Sequence, residues 1–351
     1  MRQITTRDIA RESGYGQSTV SLALRNDPRL PEATRRHIQE TAAAMGYQPD
    51  AGIARLMTRV REGRLRTEAQ PLAYVICWES LESHFRYEAY RLFRAGAEAR
   101  AREFGYYLED FWVNREGGLS GARLAQVLRT RAIPGMLIAP VAVPYDHPGR
   151  HGQRVDLPNA DFAAATIGYS LLSPAPHRAT HDHALGAETA VGRLLAAGYR
   201  RIGYVSSEAV HARVEGRWLA GYLLAQHALP TRDRLPPLLL GGFTSRHTRP
   251  LEKWLVRWKP DALVALEYEE LLGCLDALKI RVPADMAIAH LDAAVAGRPC
   301  AGIDQRSRDV GAAALDMLLA QIHRNERGQP SLRKTVLLEG AWMDGPSVGG
   351  R

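Results

Sequence analysis

Residues 4–24, ITTRDIARESGYGQSTVSLAL, constrain the fold of this chain more than any other stretch. Thr5 stands where a helix N-cap is expected. Asp8, three residues on, can complete a capping box and faces the positive end of the helix dipole. Ile9, Ala10 and Ser13 fall on one face of that helix. Gly14 is placed to end it, because glycine enters the left-handed region at little cost. A second helix opens at Gln17 and Ser18. Val20 and Leu24, one turn apart, can pack on the first helix, while Gln17, Ser18, Ser21 and Leu22 stay on the outer side. This spacing predicts a helix-turn-helix, whose second helix enters the DNA major groove and reads base edges with its N-terminal residues. Two short helices around a glycine also occur in helical domains that bind no nucleic acid, and periodicity alone does not separate the two.

A third helix follows. Leu30 and Pro31 open it, since proline is tolerated in a first turn. Ile38, Ala42 and Met45 mark its buried face and Gly46 ends it. Tyr47-Gln48-Pro49-Asp50 then leads into a short segment, 51–59, that carries Leu56.

Thr5, Asp8, Ile9, Ala10, Gly14, Thr19-Val20-Ser21, Thr34-Arg35, Gly46-Tyr47, Pro49 and Leu56 stand in an order and spacing that resembles the LacI/GalR (lactose-repressor) family of bacterial transcription regulators. The resemblance implies a three-helix headpiece and a hinge helix that orders only on DNA. It implies DNA contacts from Thr5, Gln17, Ser18, Thr19, Ser21, Leu22 and Asn26. It also implies that Leu56 wedges into the central minor groove, at the cost of unstacking one base step. The other reading of Leu56 is an ordinary apolar linker residue. Three positions depart from the family pattern. Gly16 replaces the usual serine cap of the reading helix. Leu22 can touch a thymine methyl but cannot hydrogen-bond a base. Gly52 lowers the helix propensity of the hinge by about 1 kcal/mol relative to alanine.

Charge follows the same division. Residues 1–66 hold twelve arginines and no lysine against seven acids, an excess of five, while the whole chain carries +8. The positive excess is concentrated at the end expected to meet a polyanion. The other reading is a chain rich in arginine throughout. The three cysteines, Cys77, Cys274 and Cys300, form no C-x-x-C pair, so neither a zinc site nor a disulfide framework is expected. Cys77 and Cys274 lie in apolar runs and read as core thiols. No apolar signal-peptide core and no run of 18 apolar residues occurs, so the expected location is cytoplasmic with no membrane contact.

Residues 60–70 are charged, without apolar period, and read as a linker. Beyond them, short apolar runs alternate with amphipathic helices. The strands expected are 72–78, 106–112, 135–140, 201–207, 261–266 and 287–291, with helices at about 85–104 and 120–131. Such βαβ alternation implies parallel sheets with helices on both faces, and the number of strands implies two lobes. The fold class is therefore α/β, a helix-turn-helix headpiece followed by a two-lobed body. The expected boundaries are a headpiece at 1–48, a hinge helix and linker at 49–70 and the body at 71–345.

The body again resembles that family, whose body is similar to the periplasmic sugar-binding proteins. The residues that carry this are Gly96, Gly105-Tyr106, Gly135 with Pro140, Asp182, Gly186, Gly198-Tyr199-Arg200-Arg201-Ile202, Gly221-Tyr222, Val282-Pro283 with Asp285, Asp292 and Ile303-Asp304-Gln305. The resemblance implies lobes discontinuous in sequence with three hinge crossings. It implies that the segment after Asp292 returns to the first lobe and that a closing strand, about 336–343, belongs to the second.

Asp292 follows an apolar strand and matches the family's effector-binding aspartate, where a carboxylate accepts two hydroxyl hydrogen bonds. Its other reading is a helix N-cap. Where many members carry an effector-gripping arginine, this chain has Trp218 with Arg217 beside it, and where they carry Asn-Asp it has Glu267-Tyr268. Exchanging arginine for tryptophan removes a bidentate donor and adds a flat apolar face. Trp78, Arg217, Trp218, Glu267, Asp292 and Gln305 are the candidate effector residues, suited to a neutral, hydroxyl-rich ligand and poorly to an anion. Core packing remains the other reading of Trp78 and Trp218.

His181-Asp182-His183 invites a metal, but two histidines at i and i+2 converge poorly on one ion. No nucleotide-binding glycine loop and no nucleophile–base pair occurs, so no cofactor, metal or catalysis is expected. The function expected is a DNA-binding regulator, a repressor, controlled by a small-molecule effector such as a sugar or polyol. Its partners would be a palindromic double-stranded operator, the effector and a second copy of the chain. The residues after 343 contain no heptad, which points to a dimer and not a tetramer. Two alternatives are a solute-binding protein of the same body fold, against which the headpiece argues, and an α/β enzyme with an accessory DNA-binding domain, for which no acid–base or phosphate motif is found.

Overall fold

The structure is a computed structural model of the chain. It describes residues 5–24, 27, 29–47, 69–113, 117–142, 153–158, 160–243 and 248–350. Asn26, Leu56 and the hinge segment 51–59 lie outside the described residues. The chain divides into two compact units, residues 1–66 and 67–351.

Among the described residues the first unit has three helices, α1 (Thr6–Ser13), α2 (Gln17–Ala23) and α3 (Glu32–Ala44). The capping box forms as the sequence predicts. The Thr5 hydroxyl accepts from the Asp8 amide at 3.4 Å, and the Asp8 carboxylate accepts from the Thr5 amide at 2.9 Å. Gly14 closes α1 in the left-handed region. Ile9, Val20, Ala23, Ile38 and Ala42 make the small core, with Ala10, Leu24, Leu30, Met45 and Tyr47 packed around it.

In chain order the second unit begins β1 (Gln70–Ile76), α4 (Leu81–Phe85), α5 (Glu88–Glu103), β2 (Tyr106–Trp112), α6 (Gly121–Thr130), β3 (Gly135–Ile138), β4 (Gln153–Arg154), β5 (Ala163–Ile167), β6 (Leu171–Ser173) and β7 (His177–His181). It continues α7 (His183–Ala196), β8 (Ile202–Ser207), α8 (Glu208–Arg213), α9 (Arg217–His227), β9 (Leu238–Leu240), α10 (Thr248–Trp258), β10 (Ala262–Ala265) and α11 (Tyr268–Ala277). It ends β11 (Ala287–His290), β12 (Gly302–Asp304), α12 (Ser307–His323), β13 (Thr335–Leu338) and β14 (Ala341–Met343).

Two six-stranded sheets define two lobes. The first has the order β13-β7-β5-β3-β1-β2 and is parallel throughout. The second has the order β14-β12-β11-β10-β8-β9 and is parallel except for β14. Inner strands such as β3, β8, β10 and β11 are buried on both faces, which is why they read as continuous apolar runs. In β1, Leu72, Tyr74 and Ile76 pack toward one layer of helices and Ala73 and Val75 toward the other. Helices α5 and α12 cross at contact distance through two glycines. A Cβ on Gly96 would lie 1.9 Å from the Arg308 carbonyl oxygen, and one on Gly311 would lie 2.0 Å from that of Phe93.

The chain passes between the lobes three times: at Asp182 between β7 and α7, at Gln305-Arg306 between β12 and α12, and at Glu339-Gly340 between β13 and β14. The segment 336–343 is not a single second-lobe strand. It breaks at Gly340, so that β13 edges the first sheet, paired with β7, while β14 edges the second, antiparallel to β12. Its composition reads as one apolar run, and only the pairing partners divide it. The sequence reading also passed over β5 and β7. The latter, His177-Arg178-Ala179-Thr180-His181, is a fully buried strand made largely of polar residues. The helix expected at about 85–104 is α5, and a separate short helix, α4, capped by Ser80, precedes it.

Candidate functional site

In the headpiece, the N-terminal end of α2 faces solvent. Gln17 and Ser18 are exposed, whereas Thr19, Ser21 and Leu22 are half-buried. Gly16 caps α2 with extended backbone and no side-chain bond. The Gln17 amide nitrogen donates to the Thr6 hydroxyl at 3.2 Å, which tethers it to the start of α1. Thr5 is committed to its capping box. The local sequence thus sets a short helix with polar side chains at the end that the helix-turn-helix reading assigns to base edges.

In the body, a cavity of about 90 Å³, room for several waters, lies between the lobes beside the crossings. The first lobe contributes Tyr90 and Phe93 from α5, Pro140 after β3, Tyr169 and Ser170 after β5, and Thr180 and His181 from β7. The second contributes His183, Arg213, Val214, Trp218, Leu266 and Asp292, and Gln305 reaches it from the third link. Ligands of parallel sheets bind beyond the C-terminal strand ends, and β7, β10 and β11 all end here.

Several buried polar atoms around this cavity have no hydrogen-bond partner among the described residues. They include Trp218 Nε1, His183 Nδ1 and Asp292 Oδ1, on residues 2%, 6% and 5% exposed. A buried donor or acceptor left unpaired is costly, so such atoms around one cavity mark a place built to meet a polar guest. Burial, with Asp304 nearby, pushes the Asp292 carboxyl up to about 8. Burial also holds the histidines in the neutral form, lowering His181 to about 4 and His183 well below the ordinary imidazole value. The Asp292 carboxyl does not cap the single turn of 3-10 helix that follows it. Its backbone amide donates to His290 Nδ1 at 2.8 Å, which fixes the turn instead.

The structure brings together three of the six candidate effector residues: Trp218, Asp292 and Gln305 line the cavity. Gln305 donates to the Leu291 carbonyl at 2.8 Å, tying the second crossing to the end of β11. The other three are not among the cavity's lining residues. Trp78 lies behind Tyr90, ring to ring at 5.6 Å, and donates to the Pro140 carbonyl at 2.7 Å, so it buttresses the wall. Glu267 turns toward the backbone, accepting from the Ser207 amide at 2.9 Å, and thereby joins the ends of β10 and β8. Arg217 lies over the Tyr169 ring at the cleft mouth. Tyr90, Phe93, Tyr169 and Arg213 line the cavity without having been singled out from the sequence, and His183, which the sequence offered only as a metal ligand, lines it too. Arg213 donates to the Tyr90 hydroxyl at 3.2 Å across the cleft. It lies five residues ahead of Trp218, on a helix whose pattern the sequence reading did not resolve. Among the described residues no cluster of His, Cys, Asp and Glu could hold a metal ion, and no helix is long and apolar enough to cross a membrane.

A helix-turn-helix unit together with a two-lobed α/β body that holds a hinge-side cavity defines a DNA-binding regulator with a ligand-binding body. Residues 5–50 match the model of the bacterial regulatory proteins of the lacI family, and residues 191–343 match the periplasmic binding protein-like domain. Over 334 residues the chain is 24% identical to catabolite control protein A of Priestia megaterium, a match covering 92% of this chain and 93% of that protein. The chain thus joins a region that matches the lacI family of bacterial regulatory proteins to a body that matches the periplasmic binding protein-like domain. In fold it is similar to the transcriptional regulator CelR in its cellobiose complex, with a TM-score of 0.56 at 20% identity, covering 98% of this chain and 100% of that one. It is likewise similar to the lac repressor dimer bound to operator and the anti-inducer ONPF, with a TM-score of 0.53 at 19% identity and 99% of each chain covered.

Proposed function

We propose that this regulator is a repressor that binds a palindromic operator as a homodimer and responds to a small, neutral, polyhydroxylated molecule held between its lobes. The observation that carries the ligand reading is the unpaired trio of Trp218 Nε1, His183 Nδ1 and Asp292 Oδ1 at one cavity. These are one fixed donor, one neutral imidazole and one carboxyl held near neutrality. Hydroxyl groups, each both donor and acceptor, satisfy such a mixed set, and the Trp218 ring offers an apolar face for the carbon skeleton of a sugar. The similarity to a regulator solved with cellobiose supports this class of ligand. In the headpiece, 1–48, Gln17 and Ser18 read bases, with Thr5, Thr19, Ser21, Leu22 and Asn26 completing the contact. Leu56, in a hinge and linker at 49–70, supplies the minor-groove wedge, and the body follows at 71–345. The similarity to a repressor dimer solved on its operator supports the two-fold arrangement, which matches a palindromic site.

Regulation is then linkage: the ligand shifts operator affinity by its preference for one body conformation, a coupling of about 1–3 kcal/mol. The test begins with operator selection from a randomised duplex pool. A thermal-shift screen of sugars, polyols and their acids and phosphates follows. A neutral sugar that raises Tm and changes operator affinity supports the reading. An acid or phosphate as the best ligand overturns its neutral-ligand part, and operator affinity undiminished in a chain starting at residue 67 overturns the headpiece part.

A further inference from the structure

The mouth of the cleft holds a cluster of three charged residues around one aromatic ring. Tyr169 belongs to the first lobe in sequence, yet its ring, 3% exposed, packs into the core of the second. Arg178 of β7 lies over this ring with its Cζ 4.6 Å from the centroid, and Arg217, the first residue of α9, lies over it at 4.4 Å. Glu215 serves both cations. Its Oε1 is 3.6 Å from Arg178 Nη1 and its Oε2 is 3.2 Å from Arg217 Nη2. The carboxylate is presented by two successive left-handed residues, Glu215 at φ 54° and Gly216 at φ 69°. That region disfavours a residue with a side chain, so the surrounding packing must impose it.

Two of these contacts span the cleft: Glu215 to Arg178, and Arg217 to Tyr169. The other two, Arg178 on Tyr169 and Glu215 to Arg217, stay within a lobe and hold each half in shape. Arg178 is 8% exposed, and burial lowers its pKa against the pull of Glu215. Opening the cleft would break its ion pair but return the guanidinium to water. A buried pair whose attraction and desolvation nearly cancel is poised, not locked. Without the shared carboxylate, two guanidiniums would face one ring with no negative charge between them.

We propose that Tyr169, Arg178, Glu215 and Arg217 form an interlobe clasp that sets the open–closed equilibrium of the body. Because both lobes wall the cavity, that equilibrium scales the affinity of any occupant and thereby its leverage on DNA binding. Glu215 is the sensitive member, since it is the cluster's single carboxylate between two guanidiniums and its loss leaves them unopposed. Arg217, half exposed, contributes only its stacking across the cleft and its hold on Glu215.

The test needs no effector. In the full chain, spin labels at Arg123→Cys on α6 and Glu252→Cys on α10 report the interlobe distance, the three native cysteines being buried. Glu215→Gln should raise the long-distance population by more than about tenfold, and Arg217→Met should raise it less. In the parent, about 1 M salt, where the Debye length is near 3 Å, should move the distribution the same way, with little further effect in Glu215→Gln. Circular dichroism establishes that each variant is folded, and the exposed position of Arg217 keeps its variant informative if the glutamine variant is damaged. Identical distance distributions in the parent and the folded variants, at low and high salt, would overturn the clasp.

Discussion

Replacing Asp292 with asparagine should make the body less sensitive to alkaline pH. In the folded protein this carboxyl keeps its proton up to about 8, against an ordinary value of 3.8, because it is buried and near Asp304. Between those two values the folded chain binds more protons at this site than the unfolded chain does. The free energy of unfolding therefore falls as pH rises through that window, by about 1.4 kcal/mol per pH unit. It is unaffected by this group below the unfolded value, and the loss levels off above the folded one. With the group 5% exposed, the loss carries little solvent screening, and it accumulates to on the order of 5 kcal/mol by about pH 9. Asparagine matches the shape of the carboxyl and cannot ionise, so the variant lacks this slope. Lowered histidines such as His181 and His290 add their own acid-side dependence, but they are common to both proteins and cancel in the difference. The assay is the difference in unfolding free energy between Asp292→Asn and the parent in urea, measured from about pH 5 to pH 9. It should grow in favour of the variant by on the order of 4 kcal/mol. Parallel curves for the two proteins would mean that Asp292 ionises as an ordinary carboxylate and that its burial exerts no such penalty.

Gln17→Ala should relax base preference at one position per half-site, by about 1–3 kcal/mol of discrimination, and leave non-specific binding intact; selection from a randomised pool reads this directly. Thr5→Ala removes the acceptor for the Asp8 amide and should cost about 1 kcal/mol of α1 stability, seen as roughly fivefold faster amide exchange in that helix of the full chain. Gly221→Ala would place a Cβ 2.0 Å from the Ala184 carbonyl oxygen, forcing α7 and α9 apart; a loss of about 1–3 kcal/mol in urea unfolding is expected.

Local chemistry made the headpiece legible. A capping box, a terminating glycine and an apolar stripe are set by residues within a few positions of one another, and α1, α2 and their common core follow from them. Doubly buried strands were legible for the same reason, since β1, β3, β8, β10 and β11 need apolar residues on both faces. Gly96 and Gly221 stood out in the sequence, but nothing local says that each admits another helix backbone. Asp292 and Trp218 were placed at the site by their resemblance to a family pattern, whereas the cavity's remaining walls come from residues distant along the chain. Tyr90 meets Arg213, and Tyr169 meets Arg178 and Arg217, only because three crossings fold one lobe onto the other. The same holds for Glu267, whose charge suggested a ligand until the end of β8 brought it the Ser207 amide. It holds for 336–343, one apolar run that two different sheets divide at Gly340. Sequence by itself determined what depends on neighbours in the chain: helix ends, strand burial and the exposed polar end of α2. Tertiary structure decided which polar groups find partners and which are left facing a cavity, because hydrogen bonding in a buried site depends on groups that only folding brings within reach.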